Sequence, residues 1–158
     1  MNTNARAIFL DIDGTLIPFG AEAPCEQDRT ALLRARAAGH KVLINTGRSS
    51  GFLPPVLRTA DYLDGFLCGC GTQLIIGGKT LFKQEIPREA LRQVLAYFLE
   101  SPGEGCFFEG ETALLTIQRT HPQGQMLTRA DDFDTRFAGE SVTKLTIWGA
   151  PTQQRRRL

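Results

Sequence analysis

Two aspartates with one residue between them, Asp11 and Asp13, directly follow the apolar run Ala7-Ile8-Phe9-Leu10 and directly precede Gly14-Thr15. Such a run reads as a short buried strand, spanning about residues 5–12. Residues i and i+2 of a strand face the same side, so the spacing predicts that both carboxylates project together from its carboxyl end. Gly14 lets the chain turn sharply there. Open α/β sheets place their ligands outside the carboxyl ends of strands. Two acids at that edge suit a divalent metal, and they can divide nucleophile and acid–base roles between them. The plainer reading is a strand ending in a polar Asp-Gly turn. A second strand argues against it: Lys41-Val42-Leu43-Ile44 runs into Asn45-Thr46-Gly47-Arg48. Between the two lies a helical pattern over 26–38, stopped by Gly39. This is the spacing of a right-handed βαβ unit with parallel strands, which brings Thr46 to the same edge as Asp11.

The elements that follow must hold that edge in place. Residues 51–60 carry Leu53, Val56 and Leu57 at near-helical spacing, with Pro54 and Pro55 at the start, where a first turn tolerates proline. Residues 65–68 read as a third strand, and 73–76 with 79–82 as a hairpin across Gly77-Gly78. Near residues 84–87 the pattern changes. Residues 88–100 form a strongly amphipathic helix, 105–109 and 113–117 a second hairpin, 121–128 a short helix, and 142–148 a half-buried strand. Helix, hairpin and strand in that order point to a separate small α+β module. The domains expected are therefore 1–84, 85–150 and a polar tail over 151–158.

Hydrophobic residues make up 42% of the 158 and charged residues 22%, an ordinary soluble composition. Net charge is +1, and Arg155, Arg156 and Arg157 supply it; without them the balance is −2. No basic face for nucleic acid is visible. No apolar stretch approaches transmembrane length, and Asp11 interrupts the first apolar run too early for a signal peptide. The expectation is a cytoplasmic chain with no nucleic-acid or membrane partner. Cys25, Cys68, Cys70 and Cys106 lack zinc-site spacing and read as reduced, mostly buried thiols.

Asp11-Ile12-Asp13-Gly14-Thr15-Leu16 followed by Thr46-Gly47-Arg48 resembles the first two motifs of the haloacid dehalogenase (HAD) superfamily, and more narrowly its Cof-type phosphatases. The passage ending Gly77-Gly78-Lys79-Thr80-Leu81-Phe82-Lys83-Gln84-Glu85-Ile86-Pro87 is also similar to that family's step from core to cap. The resemblance implies an α/β fold with a Rossmann-like parallel-sheet core, incomplete here, and part of a smaller α+β cap. It implies that Asp11 is the nucleophile that becomes an aspartyl phosphate and that Asp13 is the acid–base. Mg²⁺ would sit on the Asp11 carboxylate and the Asp13 backbone carbonyl. Thr46, Gly47 and Arg48 would hold the phosphate of a small phosphorylated metabolite, before a helix beginning near Arg48. The family's later lysine and its acidic metal-binding motif have no counterpart here: Asp131-Asp132 lacks the flanking pattern, and Lys144 lies in a cap-like strand. The resemblance thus implies a shortened member, marginal in stability, with an open sheet edge that favours a homo-oligomer or a complementing chain, and with activity below the family norm.

Other readings compete with this one. A non-catalytic remnant or phosphate-binding module would keep Asp11 and Thr46 without turnover. A phospho-accepting receiver domain needs a further acid near Cys68, which is absent. Gly78-Lys79-Thr80 mimics the end of a P-loop, but Gln73 stands where its first glycine belongs. Leu74 likewise breaks a dinucleotide fingerprint begun by Gly69-Cys70-Gly71; in the resembled family that loop lies near the active site. His40 reads as a surface or cap residue and His121 as a turn residue. Arg48 either steadies the phosphate loop or touches substrate. Phe107, Phe108, Phe137 and Trp148 read as core of the second module.

Overall fold

A computed structural model describes residues 5–101 and 104–148. The tail over 151–158, with its three arginines, lies outside the described residues. The chain divides into two compact units, Met1–Gln84 and Glu85–Leu158.

The first unit is α/β. Strands β1 (Ala7–Leu10), β2 (Lys41–Asn45), β3 (Gly65–Cys68), β4 (Gln73–Ile76) and β5 (Lys79–Lys83) form one sheet in the order of the sequence. β1, β2 and β3 pair in parallel, and Leu10 lies opposite Ile44. β3, β4 and β5 continue antiparallel. Gly77 and Gly78, with φ of 55° and 77°, make the turn between β4 and β5, since a two-residue type I′ turn requires positive φ at both positions.

Helix α1 (Glu26–Ala37) connects β1 to β2. The Cys25 sulfur accepts the Asp28 N–H at its start. At its end Gly39 takes φ of 92°, and the N–H groups of Gly39 and His40 return to the carbonyls of Arg36 and Ala35. That is a Schellman motif. Asp64 fastens the same region to β2: its carboxylate accepts the Val42 N–H at 2.9 Å and pairs with Arg36 at 3.1 Å and Lys41 at 3.2 Å. Ile12, Leu16, Ile17, Ile44, Leu57, Tyr62 and Cys68 form the core of this unit.

Two expectations for this unit need correction. β1 is not buried throughout: Ile8 and Leu10 are partly covered, whereas Ala7 and Phe9 are exposed, Phe9 by 52%. β1 is an edge of the described sheet, and only one of its faces meets the core. The helix expected over 51–60 is also broken into a 3-10 turn (Ser50–Phe52) and the four-residue α2 (Pro55–Arg58). Consecutive prolines cause this, because Leu53 and Pro54 are extended, with ψ of 136° and 133°.

The second unit is α+β. Helix α3 (Arg88–Glu100) lays Leu91, Leu95 and Phe98 into its core. Strands β6 (Gly105–Gly110), β7 (Leu114–Ile117), β8 (Gly124–Met126) and β9 (Val142–Trp148) form a sheet in the order β8-β7-β6-β9, with α4 (Asp132–Thr135) before the last strand. Phe108, Leu115, Ile117, Leu127 and Phe133 complete the core. The segment 121–128 contains β8, pairing in parallel with β7, in place of the expected short helix. Gly124 permits the close approach: a Cβ there would stand 2.4 Å from the Thr116 methyl. Trp148 is 42% exposed, against the core placement expected; its ring rests on Phe107, centroids 4.2 Å apart. His121 does serve its turn, its Nδ1 accepting the Gln123 N–H. The four cysteines are unbridged; Cys68 and Cys106 are buried, but Cys25 and Cys70 are exposed, fewer buried than expected.

Candidate active site

The turn after β1 is held by its own backbone. The Asp11 carbonyl accepts the Leu16 N–H at 3.2 Å, the Ile12 carbonyl accepts those of Thr15 and Ile17, and Gly14 N–H donates to Ile17 at 2.9 Å. Ile12 points into the core while Asp11 and Asp13 are exposed on either side of it. Gly14 needs its φ of 75° for this turn, and the exposed Phe19 ring lies where a side chain on residue 14 would begin.

β2 delivers Thr46 to the same edge. Thr46 is 3% exposed and is fixed from three sides. Its N–H donates to Leu67 at 2.9 Å, its carbonyl accepts the Cys70 N–H at 3.1 Å, and its hydroxyl oxygen accepts the Arg48 N–H at 3.1 Å. The Thr46 hydroxyl hydrogen donates to none of the described residues. The Arg48 carbonyl accepts the Gly69 N–H at 2.8 Å. The loop 68–71 is thereby stitched to the loop 46–48, with Cys70 held at φ of 60°. Gly47 lies beside it: a Cβ there would stand 3.5 Å from the Cys70 sulfur. Burial pushes the neighbouring Cys68 thiol up to about 11, so it stays protonated and inert.

Arg48 is paired with Asp13. Its guanidinium grips Asp13 with both prongs, Nη2 to Oδ1 at 2.7 Å and Nε to Oδ2 at 2.9 Å, and also donates to the Phe52 carbonyl at 3.1 Å. The hydrogen bonds from Arg48 hold the Asp13 carboxyl below its ordinary range, and the guanidinium is raised in turn. The fork is bidentate, the strongest geometry for such a pair. The pair spans 35 residues of chain, and only the β1–β2 register brings it together.

The Asp11 carboxylate has no hydrogen bond or ion pair with the described residues. It is exposed, and the Asp13 backbone carbonyl likewise accepts no hydrogen bond from the described residues. These two oxygens fit Mg²⁺, a hard cation that binds through one or two carboxylates and keeps water and phosphate as its other ligands. Among the described residues there is no group of three or more His, Cys, Asp or Glu side chains able to hold a metal, so the fit is to a sparsely ligated ion. The helix expected to begin near Arg48 is absent, and the 3-10 turn there is too short to supply an oriented helix end.

The remaining candidates have structural employment. Lys144 lies in β9, 2.9 Å from Glu109. The Asp132 carboxylate accepts the N–H groups of Thr128 and Arg129 and pairs with Arg136. Gly78, Lys79 and Thr80 belong to a strand–turn–strand and not to a P-loop. Phe19, which sits in no periodic pattern of the sequence, follows this turn and lies against Gly14.

A family model described as haloacid dehalogenase-like hydrolase matches residues 8–146. The Bacillus subtilis (strain 168) protein YkrA, which carries a provisional phosphatase name, is 25% identical over 151 residues, 92% of this chain and 58% of its own length. Among solved structures, the HAD-superfamily phosphatase BT1666 of Bacteroides thetaiotaomicron superposes with a TM-score of 0.74 at 20% identity, over 97% of this chain and 58% of its own. The HAD subclass IIB sugar phosphatase BT4131 superposes with a TM-score of 0.61 at 26% identity, over 89% and 51%. The chain thus spans between half and three fifths of the length of these relatives. No described helix is long and apolar enough to cross a membrane.

Proposed function

We propose that this chain, which belongs to the haloacid dehalogenase-like hydrolase family, hydrolyses a small phosphorylated metabolite through an aspartyl-phosphate intermediate. The observation that supports the reading is the parallel pairing of β1 with β2, in register at Leu10 and Ile44, so that Asp11 follows one strand and Thr46 the other at the same ends. Asp11, whose carboxylate pairs with none of the described residues, attacks phosphorus; the bond from phosphorus to the leaving oxygen breaks, and Asp13 gives that oxygen a proton. Water then attacks the phosphorus of the acylphosphate, Asp13 takes the water's proton, and the bond from phosphorus to the Asp11 oxygen breaks, releasing inorganic phosphate and restoring the Asp11 carboxylate. Thr46 donates its hydroxyl hydrogen to a phosphoryl oxygen. Gly47 and Arg48 complete that loop.

Mg²⁺, held by the Asp11 carboxylate and the Asp13 carbonyl, would neutralise phosphoryl charge. The Arg48 clamp favours the ionised form of Asp13. That form suits the second step, and it means that Arg48 must loosen before Asp13 carries a proton into the first. The open edge at β1 suits pairing with a second copy or a complementing chain.

The test is p-nitrophenyl phosphate hydrolysis by the full chain with Mg²⁺, with EDTA, and with Asp11→Asn. Turnover that requires Mg²⁺ and falls at least a thousandfold, roughly, in Asp11→Asn is the expected result. A folded chain with no turnover would leave a phosphate-binding module that keeps the edge and not the chemistry.

A further inference from the structure

Phe19 is 87% exposed, the most exposed of the large apolar side chains among the described residues, yet its ring is not remote from the site. It lies against the turn of Asp13 and Gly14, so that a Cβ on Gly14 would stand 2.6 Å from Phe19 Cε2. Beside it opens a cavity of about 570 Å³, lined by Asp13 and Arg48 together with Pro18, Phe19, Pro55 and Val56, whereas Asp11 and Thr46 do not line it. The volume falls within the range of small-molecule sites, on the order of 300–1,000 Å³.

The two sides of the reaction centre therefore differ. The phosphoryl group belongs with Asp11 and Thr46. The departing oxygen belongs with Asp13, which hands it a proton, and whatever is bonded to that oxygen has the cavity beside Asp13 as its space. We infer that this cavity is the leaving-group subsite and that Phe19 is a specificity residue, stacking on an uncharged, ring-shaped leaving group. The inference rests on the phosphatase reading above.

Charge and shape select that class. Glu22 also lines the cavity, and its carboxylate repels a second phosphate or a carboxylate on the leaving group. An aryl ring, or a saturated ring with an apolar C–H face, instead covers Phe19 and the proline side chains and removes apolar surface from water.

The full chain, Phe19→Ala and Phe19→Leu are titrated calorimetrically in MgCl₂ with phenylphosphonate and with methylphosphonate. The two probes share a phosphonate head and differ in the ring. The original chain should bind phenylphosphonate about fivefold tighter. Phe19→Ala should bring that ratio close to one while leaving the methylphosphonate affinity unchanged, with Phe19→Leu between. Because Phe19 is exposed, neither variant threatens the fold. Equal binding of both probes by the original chain, or a ratio that survives in Phe19→Ala, overturns the subsite and leaves the phosphatase reading standing. Failure of a folded chain to bind either probe overturns both.

Discussion

In the second unit, β6 and β7 are buried along almost their whole length, and α3 closes the inner face with Leu91, Leu95 and Phe98. In the first unit, β1 leaves Ala7 and Phe9 exposed, and α1 has no fully buried residue. The unit that carries every candidate catalytic group is thus the one less secured by apolar burial. It is held instead by directed polar contacts: Asp64 to β2 and α1, Thr46 to the loops beside it, Arg48 to Asp13. Polar contacts fix positions to within a hydrogen-bond length, which the proposed phosphoryl transfer needs, whereas apolar burial gives more free energy and less direction. The division between the units is one of stability against geometry.

The largest test of that contrast removes the same ring from each unit. Phe108→Ala empties a fully buried site against Phe133 and α3 and should cost about 3–5 kcal/mol in urea denaturation. Phe9→Ala, on the half-exposed edge strand, should cost less than about 1 kcal/mol. Equal losses would erase the comparison.

A middle-sized effect is expected at Asp64. Burial alone would raise its carboxyl, but the Val42 N–H, Arg36 and Lys41 outweigh that and hold it below the ordinary range. A carboxylate with a depressed folded-state value contributes stability above its unfolded value and loses it as pH falls through the folded one. The melting temperature of the original chain should therefore fall on acidification below about pH 4, and Asp64→Asn should flatten that fall. At neutral pH the substitution should cost about 2 kcal/mol, because charge-assisted hydrogen bonds are lost at a partly buried site. An unchanged acid limb would show that Asp64 is not what holds β2.

The smallest expected effect is that of Phe9→Lys. It should change stability by less than about 0.5 kcal/mol. It should also lower any self-association seen by sedimentation velocity, since a charge on an edge strand discourages pairing. Association that survives the lysine would move the contact away from β1.

The parallel pairing of β1 and β2 was legible because its signals are local: two apolar runs, a capped helix between them and a glycine stop at Gly39. The hairpin across Gly77-Gly78 was legible for the same reason. What the sequence hid depends on neighbours in space. The exposure of Phe9 follows from where the sheet ends, and that of Trp148 from its place at the end of the edge strand β9, where Ile147 is exposed too. β8 escaped notice because Pro122, Gly124 and polar residues give no alternation. The helix over 51–60 failed locally, since the apolar spacing outweighed what two prolines do to the residues before them. At the site, Asp11, Asp13 and Thr46 were readable as strand-end chemistry, but the Arg48 clamp on Asp13 needs the register of two strands, and Phe19 has no periodicity to betray it.

The measurement closest to the central claim is an acid quench of the full chain during turnover of p-nitrophenyl phosphate, with hydroxylamine trapping and tandem mass spectrometry of the peptides. The account predicts a hydroxylamine-sensitive phosphoryl group on Asp11, absent in Asp11→Asn. A phosphoryl group on any other residue, or turnover that leaves Asp11 unmodified and survives Asp11→Asn, would contradict it.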